Sequence, residues 1–160
     1  ELCSTAHLNI AGGTYANELA TAADISEAAL EQACIDLMSF TNDRGLNIAV
    51  MPQALIVPVE LWAEAEKILK TTQEVGTANN TVNVVRGKFT KGLKINHYLT
   101  DTDAWFIRTN VRDGMKYFVR RADTFDMDDD FDTDNAKYKA TFRCAFGWTD
   151  PRGIFGSPGA

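Results

Sequence analysis

The first half of the chain shows a helical spacing of apolar residues. Residues 24–40 are apolar around much of the helical circumference, which predicts a helix buried on more than one side. Asp24 is a good N-cap and Glu27 follows three residues later, so we expect this helix to begin at Asp24. The Asn42–Gly45 turn is expected to end it, with Gly45 in the left-handed conformation of a C-cap.

A strand and a second helix are predicted next. Ala54–Val57 is a short continuous apolar run, which is typical of a strand buried on both faces. Pro58 ends this strand and suits the first turn of a helix, which we expect to continue to Lys70. Glu66 and Lys70 stand four residues apart, the spacing of an ion pair on a helix. The apolar side of this helix holds Leu61, Trp62, Ala65, Ile68 and Leu69.

The second half is typical of β-structure. Residues 71–81 form a polar segment that we expect to be a loop, and turn residues separate the short apolar segments that follow. Asp113-Gly114 indicates a hairpin, and the acidic stretch 123–135 is expected to interrupt the strands. The predicted strands are Thr81–Arg86, Leu93–Leu99, Ala104–Thr109, Met115–Arg121 and Lys137–Trp148, the last with apolar residues at alternate positions.

Both ends of the chain are small and polar. Residues 1–24 contain a flexible point at Gly12-Gly13, and we expect them to lie as an arm on another surface. The Gly/Pro/Ser-rich tail 153–160 is expected to lie against a neighbour or to fray. Helices early in the chain and antiparallel strands late predict an α+β fold.

Length and charge exclude some classes of function. The 160 residues allow one domain, or one domain and a small second lobe. Sixteen basic and 22 acidic residues give a formal net charge of −6, so no basic field suited to nucleic acid covers the chain. Because no run of about 18 apolar residues occurs, we expect no transmembrane helix and no membrane partner. The chain begins at Glu1 rather than Met, so we expect a start made by processing or fragmentation. Its first residues lack the basic stretch and apolar core of a signal peptide.

The residues that most often hold metals are scattered. Cys3, Cys34 and Cys144 form no C-x-x-C motif, and we expect them to be buried free thiols. His7 and His97 are far apart and have no ligand spacing with the cysteines. The sequence therefore predicts no metal site of this kind and no cofactor.

Motifs for catalysis are also missing from the sequence. It contains no G-x-S-x-G and no H-E-x-x-H, and no cysteine stands beside a predicted base. Asp101 and Asp103 fall in a turn, where carboxylates normally act as solvated caps. We therefore predict no catalytic residues. A small α+β enzyme is kept as an alternative, and it would require a deep pocket with convergent polar groups.

An aspartate cluster is the most unusual feature of the composition. An EF-hand loop that started at Asp126 would need Gly at its sixth position and Glu at its twelfth, where the chain has Phe131 and Lys137. A looser cation site, and with it a calcium-binding module built on the Asp126–Asp134 loop, stays an alternative. The other interpretations are a solvated acidic loop and a loop that meets basic residues on another subunit. The cluster consists of Asp126, Asp128, Asp129, Asp130, Asp132 and Asp134.

Basic and aromatic residues stand close to this cluster in the sequence. For the basic residues we expect ion pairs within or between subunits rather than contacts with nucleic acid. The aromatic residues are interpreted first as core, and several as subunit contacts. The basic residues are Arg108, Arg112, Lys116, Arg120, Arg121 and Arg143. The aromatic residues are Trp105, Phe106, Tyr117, Phe118, Tyr138, Phe142, Phe146 and Trp148.

The order of several segments resembles phage major capsid proteins of the HK97-type fold, and most closely their Mu-like head-subunit branch. The segments are ISEAALEQACIDLMSFTNDRGLNI, then P-x-x-L-I-V-P-x-x-L-W-x-x-A-E-K-I-L, N-V-V and YLTDTDAWFI. Near the end, Tyr138, Arg143, Gly147 and Trp148 match a strand that leads to a Gly and an aromatic residue. Together these matches span residues 20–155, and each of them alone is weak.

The resemblance implies a structural role rather than catalysis. It implies hexamers and pentamers that form an icosahedral shell around double-stranded DNA, with no sequence-specific DNA contact, in a virion assembled in the bacterial cytoplasm. Residues 1–23 would be an arm or a remnant of an upstream region, 24–110 would resemble the axial domain, and 111–160 the peripheral-domain strands and tail. The family's arm, extended loop and spine helix normally come earlier, so we expect this chain to be the back half of a longer protein.

Charges of both signs in the last third suggest where subunits meet. Rings of subunits need two different complementary surfaces. We hypothesise that an acidic and a basic group supply part of such a pair. The candidate interface residues are Asp128, Asp129, Asp130, Arg120, Arg121 and Arg143.

Overall fold

A computed structural model describes residues 2–73, 81–130 and 132–159. Its two α-helices are α1 (Glu27–Met38) and α2 (Trp62–Lys70). Part of the polar segment predicted as a loop, residues 74–80, lies outside the described residues. The strands are β1 (His7–Leu8), β2 (Thr14–Tyr15), β3 (Pro52–Val57), β4 (Leu93–Ile95), β5 (Trp105–Thr109), β6 (Met115–Asp130), β7 (Asn135–Trp148) and β8 (Ile154–Ser157).

A four-stranded sheet in the order β4-β3-β5-β8 organises the fold. The pair β3–β4 is parallel, whereas β3–β5 and β5–β8 are antiparallel. The continuous apolar run predicted as a buried strand is β3, with Ala54, Leu55 and Val57 buried. The mixed helix-and-sheet architecture agrees with the predicted class, although one parallel pair joins the antiparallel strands.

Helix α1 is present, but its predicted ends are wrong. Ser26, not Asp24, is the N-cap, and its hydroxyl accepts a hydrogen bond from the Ala29 amide at 3.1 Å. The helix ends at Met38, before the predicted Asn42–Gly45 stop. Gly45 does have a positive φ of 79°, but it closes the turn in which its amide donates to the Asn42 carbonyl.

Helix α2 starts one turn later than predicted. Pro58 and the residues after it form a turn, and the helix begins at Trp62. Ala65 and Ile68 are buried as expected, whereas Trp62 is half exposed. The predicted Glu66–Lys70 ion pair forms on the exposed side.

One apolar cluster joins the sheet to both helices. Its fully buried members come from α1 (Leu30, Leu37), β3 (Leu55) and β5 (Trp105), and from β8 (Phe155). Burial of large side chains of this kind is the main favourable term in folding, about 1.5–3 kcal/mol for each. The core therefore holds together elements that are more than 100 residues apart in sequence.

Two strand predictions fail between the helices and β5. Residues 81–86 form no continuous strand: Val82 makes one isolated bridge with Gln73, and residues 84–86 bend and turn. The side chain of buried Asn83 donates to the Ile68 carbonyl and accepts from the amides of Val85 and Arg86. These bonds hold the backbone in a local turn instead of a ladder. The predicted strand Leu93–Leu99 stops at Ile95.

The C-terminal tail is an integral strand, contrary to the prediction that it lies on a neighbour or frays. Residues 153–157 are buried, and β8 forms the edge of the central sheet beside β5. A close approach of Gly114 and Gly153 brings the start of β6 beside the start of β8, since a Cβ on Gly114 would lie 2.7 Å from the Gly153 Cα. The two ends of the segment that contains β6 and β7 therefore lie next to each other.

The N-terminal segment packs on the end of this sheet. Asn17 is fully buried, and its side-chain amide donates to the carbonyls of Leu2, Pro151 and Ile154 at 2.8–3.1 Å. Its carbonyl oxygen accepts from the Ser4 amide at 2.8 Å.

Arg152 makes a second connection to the N-terminal segment. Its buried guanidinium lies 2.8 Å from the Asp43 carboxylate and 4.3 Å above the Tyr15 ring. The predicted packing of the first residues on another surface is therefore seen within the chain itself.

Candidate subunit interface

Strands β6 and β7 form a long two-stranded hairpin, which we call the ribbon. They pair from Met115–Trp148 at the base to Asp130–Asn135 near the tip. At about 3.3 Å per residue the ribbon is about 45 Å long. Within the described part of the chain neither strand pairs with another sheet, and every residue of both strands is at least partly exposed. The ribbon therefore projects from the fold.

The prediction of an interrupting acidic loop at 123–135 is wrong. β6 continues through Asp130, and among the described residues the turn is formed by Asp132–Asp134 before β7 begins at Asn135. The aspartates are compatible with a strand because lysines stand opposite them, Lys139 across from Asp126 and Lys137 across from Asp128. Opposite charges that face each other across strands are stabilising.

The predicted hairpin at Asp113-Gly114 is also wrong in its partners. A turn is present, and Asp113 has a positive φ of 61°. It leads from β5, in the central sheet, into β6, which pairs with β7. The ribbon is thus an insertion between β5 and β8, two strands that are themselves neighbours.

The two faces of the ribbon differ sharply in polarity. Alternate residues of a strand point to opposite faces, and the strand register identifies which residues share one. The charged residues Lys116, Arg121, Asp128 and Lys139 share one face. The other face, which we call the apolar face, carries Met115, Tyr117, Val119, Phe125, Met127, Tyr138, Ala140, Phe142, Cys144, Phe146 and Trp148.

Two irregularities in β6 preserve this apolar face along the whole ribbon. The register shifts between Val119 and Arg121 and again between Arg121 and Thr124, each time with one extra residue in β6. One bulge reverses the alternation and the second restores it. Phe125 therefore returns to the face that carries Val119.

The interpretation of the ribbon aromatics as core is wrong. Phe125, Phe142 and Phe146 are 84%, 68% and 81% exposed, and Tyr138 is 77% exposed. Of the eight aromatic residues singled out from the sequence, Trp105 alone is buried. Sequence reasoning missed Phe125 and Met127, although their alternation with Thr124, Asp126 and Asp128 was the available signal.

The structure separates the predicted acidic and basic interface residues along the ribbon. Arg121 and Arg143 stand directly opposite each other, with Arg120 at the adjacent bulge. Asp128–Asp130 lie seven or more residues nearer the tip, about 23 Å away along the strand. These two groups therefore do not pair within the chain, and the described residues show no ion pair of Arg120, Arg121 or Arg143.

Asp130 is the member of the acidic group with a local partner. Its carboxylate lies 2.6 Å from the Lys137 ammonium. Hydrogen bonds from Lys137 and Thr133 lower the pKa of Asp130. Among the residues the structure describes, no group of three or more His, Cys, Asp or Glu is placed to hold a metal ion. Asp126, Asp128 and Asp130 share one face but follow each other at about 7 Å along the strand with lysines opposite, and Asp129 points to the other face.

The cysteines are free thiols in different environments. Cys34 is buried as predicted, but Cys3 and Cys144 are only partly buried. Burial, assisted by nearby Glu18, raises the pKa of Cys3 from its ordinary value of 9.0 to about 11. The raised pKa disfavours the thiolate form of Cys3, which lines a 340 Å³ cavity beside Glu18 and Asp101.

An apolar groove of 470 Å³ lies at the base of the ribbon. It is lined by Leu2 of the N-terminal segment and by Met115, Tyr117, Phe146 and Trp148. The rings of Tyr117 and Phe146 lie 5.2 Å apart. The groove continues the apolar face, and Lys116 is the charged residue in its lining.

The ribbon carries a long exposed apolar face, and comparison with known sequences defines the family of the chain. A sequence model described as phage capsid protein matches residues 4–156. The chain belongs to this phage capsid protein family. No curated protein sequence matches it.

Among solved structures, the chain is similar to a virus-like particle from Pyrococcus furiosus. The sequence identity is 15%, and the TM-score is 0.45. The superposition covers 88% of this chain and 55% of the other, so the chain spans little more than half the length of that protein. In the described residues, neither helix has the length and apolarity needed to cross a membrane.

Proposed function

We propose that this chain is a shell-forming part of a major capsid protein of the HK97 type, in the Mu-like branch, and that it acts without catalysis. Copies of it assemble into hexamers and pentamers of an icosahedral shell around double-stranded DNA. Membership of the phage capsid family makes the protein a virion component. The observation that carries the proposal of self-assembly is the uncovered apolar face of the ribbon.

The exposed area is large for a protein that stays alone. Each large aromatic side chain presents about 150–250 Å². At their observed exposures, Tyr117, Phe125, Tyr138, Phe142 and Phe146 together leave roughly 550–900 Å² in contact with water. The largest apolar patch of a typical soluble monomer is about 300–600 Å². An isolated two-stranded hairpin is also only marginally stable, so a covering surface would stabilise both its fold and its solubility.

The opposed arginines support a partner of negative charge. Like charges directly across a ladder destabilise it, and Arg121 faces Arg143. An acidic group of a neighbouring copy that contacts the polar face, where Arg121 and Arg143 lie, would neutralise this pair. We therefore retain the predicted interface residues Asp128–Asp130, Arg120, Arg121 and Arg143 as contacts between subunits.

The proposed domain arrangement follows the family pattern. Residues 1–23 form an arm, 24–110 correspond to an axial domain around the central sheet, and 111–160 correspond to peripheral-domain strands and tail. The net charge of −6 favours enclosure of DNA without a dedicated DNA-binding surface. Assembly takes place in the cytoplasm of the bacterial host.

Negative-stain microscopy and sedimentation of the full-length protein that contains this chain test the proposal. We expect closed particles from the wild type and from Lys139→Ser, a change on the polar face. Phe142→Ser, on the apolar face of the same strand, should reduce the particle fraction at least about tenfold, since an interface anchor is worth 2 kcal/mol or more. Its circular dichroism should be unchanged because Phe142 is already exposed. A wild type that stays monomeric at all concentrations, or a Phe142→Ser variant that assembles normally, would contradict the proposal.

A further inference from the structure

Charge is segregated along the length of the ribbon. The distal part, residues 123–139, contains seven aspartates and two lysines, a formal charge of −5. The proximal part, residues 115–122 and 140–148, contains four basic residues and no acidic residue, a formal charge of +4. The ribbon therefore has an acidic tip and a basic stem, and apart from Asp129 and the residues at the bulges and in the turn these charges lie on the face opposite the apolar face.

We propose that the apolar face of the ribbon packs against the same face of a second copy, with the two ribbons antiparallel around a twofold axis. The proposal deepens the proposed shell function and rests on it, because it specifies which surface of a second copy covers the ribbon. The apolar faces supply the contact area. The charges select the direction, since parallel ribbons would bring tip against tip and stem against stem.

The charge distribution also fixes where the axis lies. We call two residues that face each other across β6 and β7 a row. The acidic rows lie around Asp129–Ala136 and the basic rows around Arg121–Arg143. If the acidic rows of one copy lie over the basic rows of the other, the twofold axis passes through the row Phe125–Ala140. In face-to-face packing about this axis, β7 lies over β7 of the second copy. Ala140 then faces Ala140 across the axis, and Phe142 faces Tyr138.

One acidic residue on the apolar face supports the same alignment. Outside the two bulges, Asp129 is the only charged residue that the register places on this face. A carboxylate covered by an apolar partner needs an ionic or hydrogen-bonding group. The antiparallel alignment places Asp129 of one copy beside Val119 of the second copy. Arg120 of the second copy follows Val119 at the bulge and would supply the ionic partner for Asp129.

The available area is adequate for a stable pair. The five large aromatic residues of the face alone expose roughly 550–900 Å², and a standard protein interface buries about 800 Å² on each partner. The two sheets would lie about 10 Å apart, the usual spacing of packed sheets. The pair would be isologous, so one patch serves both copies.

Single cysteines on the apolar face test the alignment. Ala140→Cys and its matched control Ala136→Cys are introduced with Cys144→Ser, and the assembled protein is treated with a short bismaleimide. Both alanines are exposed and lie on the same face of β7. Ala140→Cys should give about tenfold more cross-linked dimer on a denaturing gel, because two copies of residue 136 would lie about 26 Å apart.

The native cysteine supplies an internal check on the same alignment. Residue 136 of one copy should face Cys144 of the other, so Ala136→Cys should cross-link when Cys144 is restored. Equal yields at residues 140 and 136 in the Cys144→Ser background, or no rescue by Cys144, would overturn the antiparallel pairing.

A charge exchange tests the contact between Asp129 and Arg120. Asp129→Arg and Arg120→Asp should each reduce the particle fraction, and the double variant should restore it. Asp128→Arg, on the other face, should have a smaller effect. No restoration in the double variant would overturn the contact. Particles without the predicted cross-links refute the ribbon pairing alone, whereas a wild type without particles refutes the proposed shell function.

Discussion

The side chain of Asn17 should contribute more to the stability of the subunit than any other polar side chain discussed above. It is fully buried and connects the first residues of the chain to the segment around β8. Its amide group donates to three carbonyls, and its oxygen accepts from the Ser4 amide and hydrogen-bonds with Nε2 of His7 at 2.9 Å. Asn17→Ala removes all five contacts. Water can replace the lost hydrogen bonds only in part, because their partners are buried or partly buried.

The magnitude follows from the burial of those partners. A buried polar group left without a partner costs about 1–3 kcal/mol, and a hydrogen bond that water can partly replace about 0.5–1.5 kcal/mol. The bond to the buried Ile154 carbonyl is of the first kind, and the four part-buried bonds are closer to the low end of the second. We expect a loss of about 3–5 kcal/mol in the free energy of unfolding. For a chain of this size that is a fall in Tm of about 6–20 °C.

Thermal and urea unfolding of dissociated subunits measure the effect, since contacts between subunits would otherwise add to stability. Asn110→Ala is the matched control, because Asn110 is exposed and makes two side-chain bonds, to the Met51 amide and the Ala49 carbonyl. It should cost less than about 1 kcal/mol. Asn17→Asp keeps the volume and the acceptor but loses the donors, so it should destabilise at neutral pH as Asn17→Ala does. If Asn17→Ala unfolds like Asn110→Ala, the N-terminal segment is not held by this side chain.

Three further changes test local features of the fold by urea or pH titration. Gly156→Ala should cost about 1–3 kcal/mol, because a Cβ there would lie 2.7 Å from the Phe106 ring and 2.9 Å from the Cys3 sulfur; Gly147→Ala, where the nearest atom is 3.5 Å away, is the control, and equal effects would refute the steric argument. Ser26→Ala should cost about 1 kcal/mol through the lost N-cap, and an unchanged urea midpoint would contradict the assigned cap. The raised pKa of Cys3 predicts that its contribution to stability is fully present below pH 9 and is lost as the pH rises to about 11, because the unfolded thiol loses its proton first. Cys3→Ala should reduce the alkaline loss of stability, to which Cys34 and Tyr15, whose pKa values are also raised, contribute the rest. An equal pH dependence in both proteins would exclude Cys3 as a source.

Local patterns predicted the elements whose determinants are local. The apolar run in β3 needs burial whatever surrounds it, and it was recognised at its correct position. The start of α1 is harder to predict than the position of β3, because Asp24 and Ser26 are both good N-caps. The choice of Ser26 depends on which amide its hydroxyl reaches, a detail of geometry that residue type does not determine.

Strand pairing was less predictable because it depends on distant residues. The acidic stretch looked like a loop when only its charge was considered, since Asp is rare in strands. Its pairing with a lysine-bearing strand makes the β conformation favourable, and that pairing was visible only after the register was known. The prediction for the C-terminal tail is wrong for the same reason. Strand β8 is buried because it pairs with β5, which lies more than 40 residues earlier in the sequence.

The ribbon shows why the sequence could indicate an apolar face but not its location. Alternation in β7 predicts a strand with one face that avoids water, and the free energy of burial is similar whichever chain supplies the covering surface. Periodicity therefore cannot distinguish a core strand from an intersubunit strand. The strand topology makes this distinction. The central sheet contains β4, β3, β5 and β8 but neither β6 nor β7. Gly114 and Gly153, which flank the ribbon in the sequence, contact each other at its base. An apolar face excluded from the core of its own chain, in a phage capsid protein, is best explained by burial against another copy.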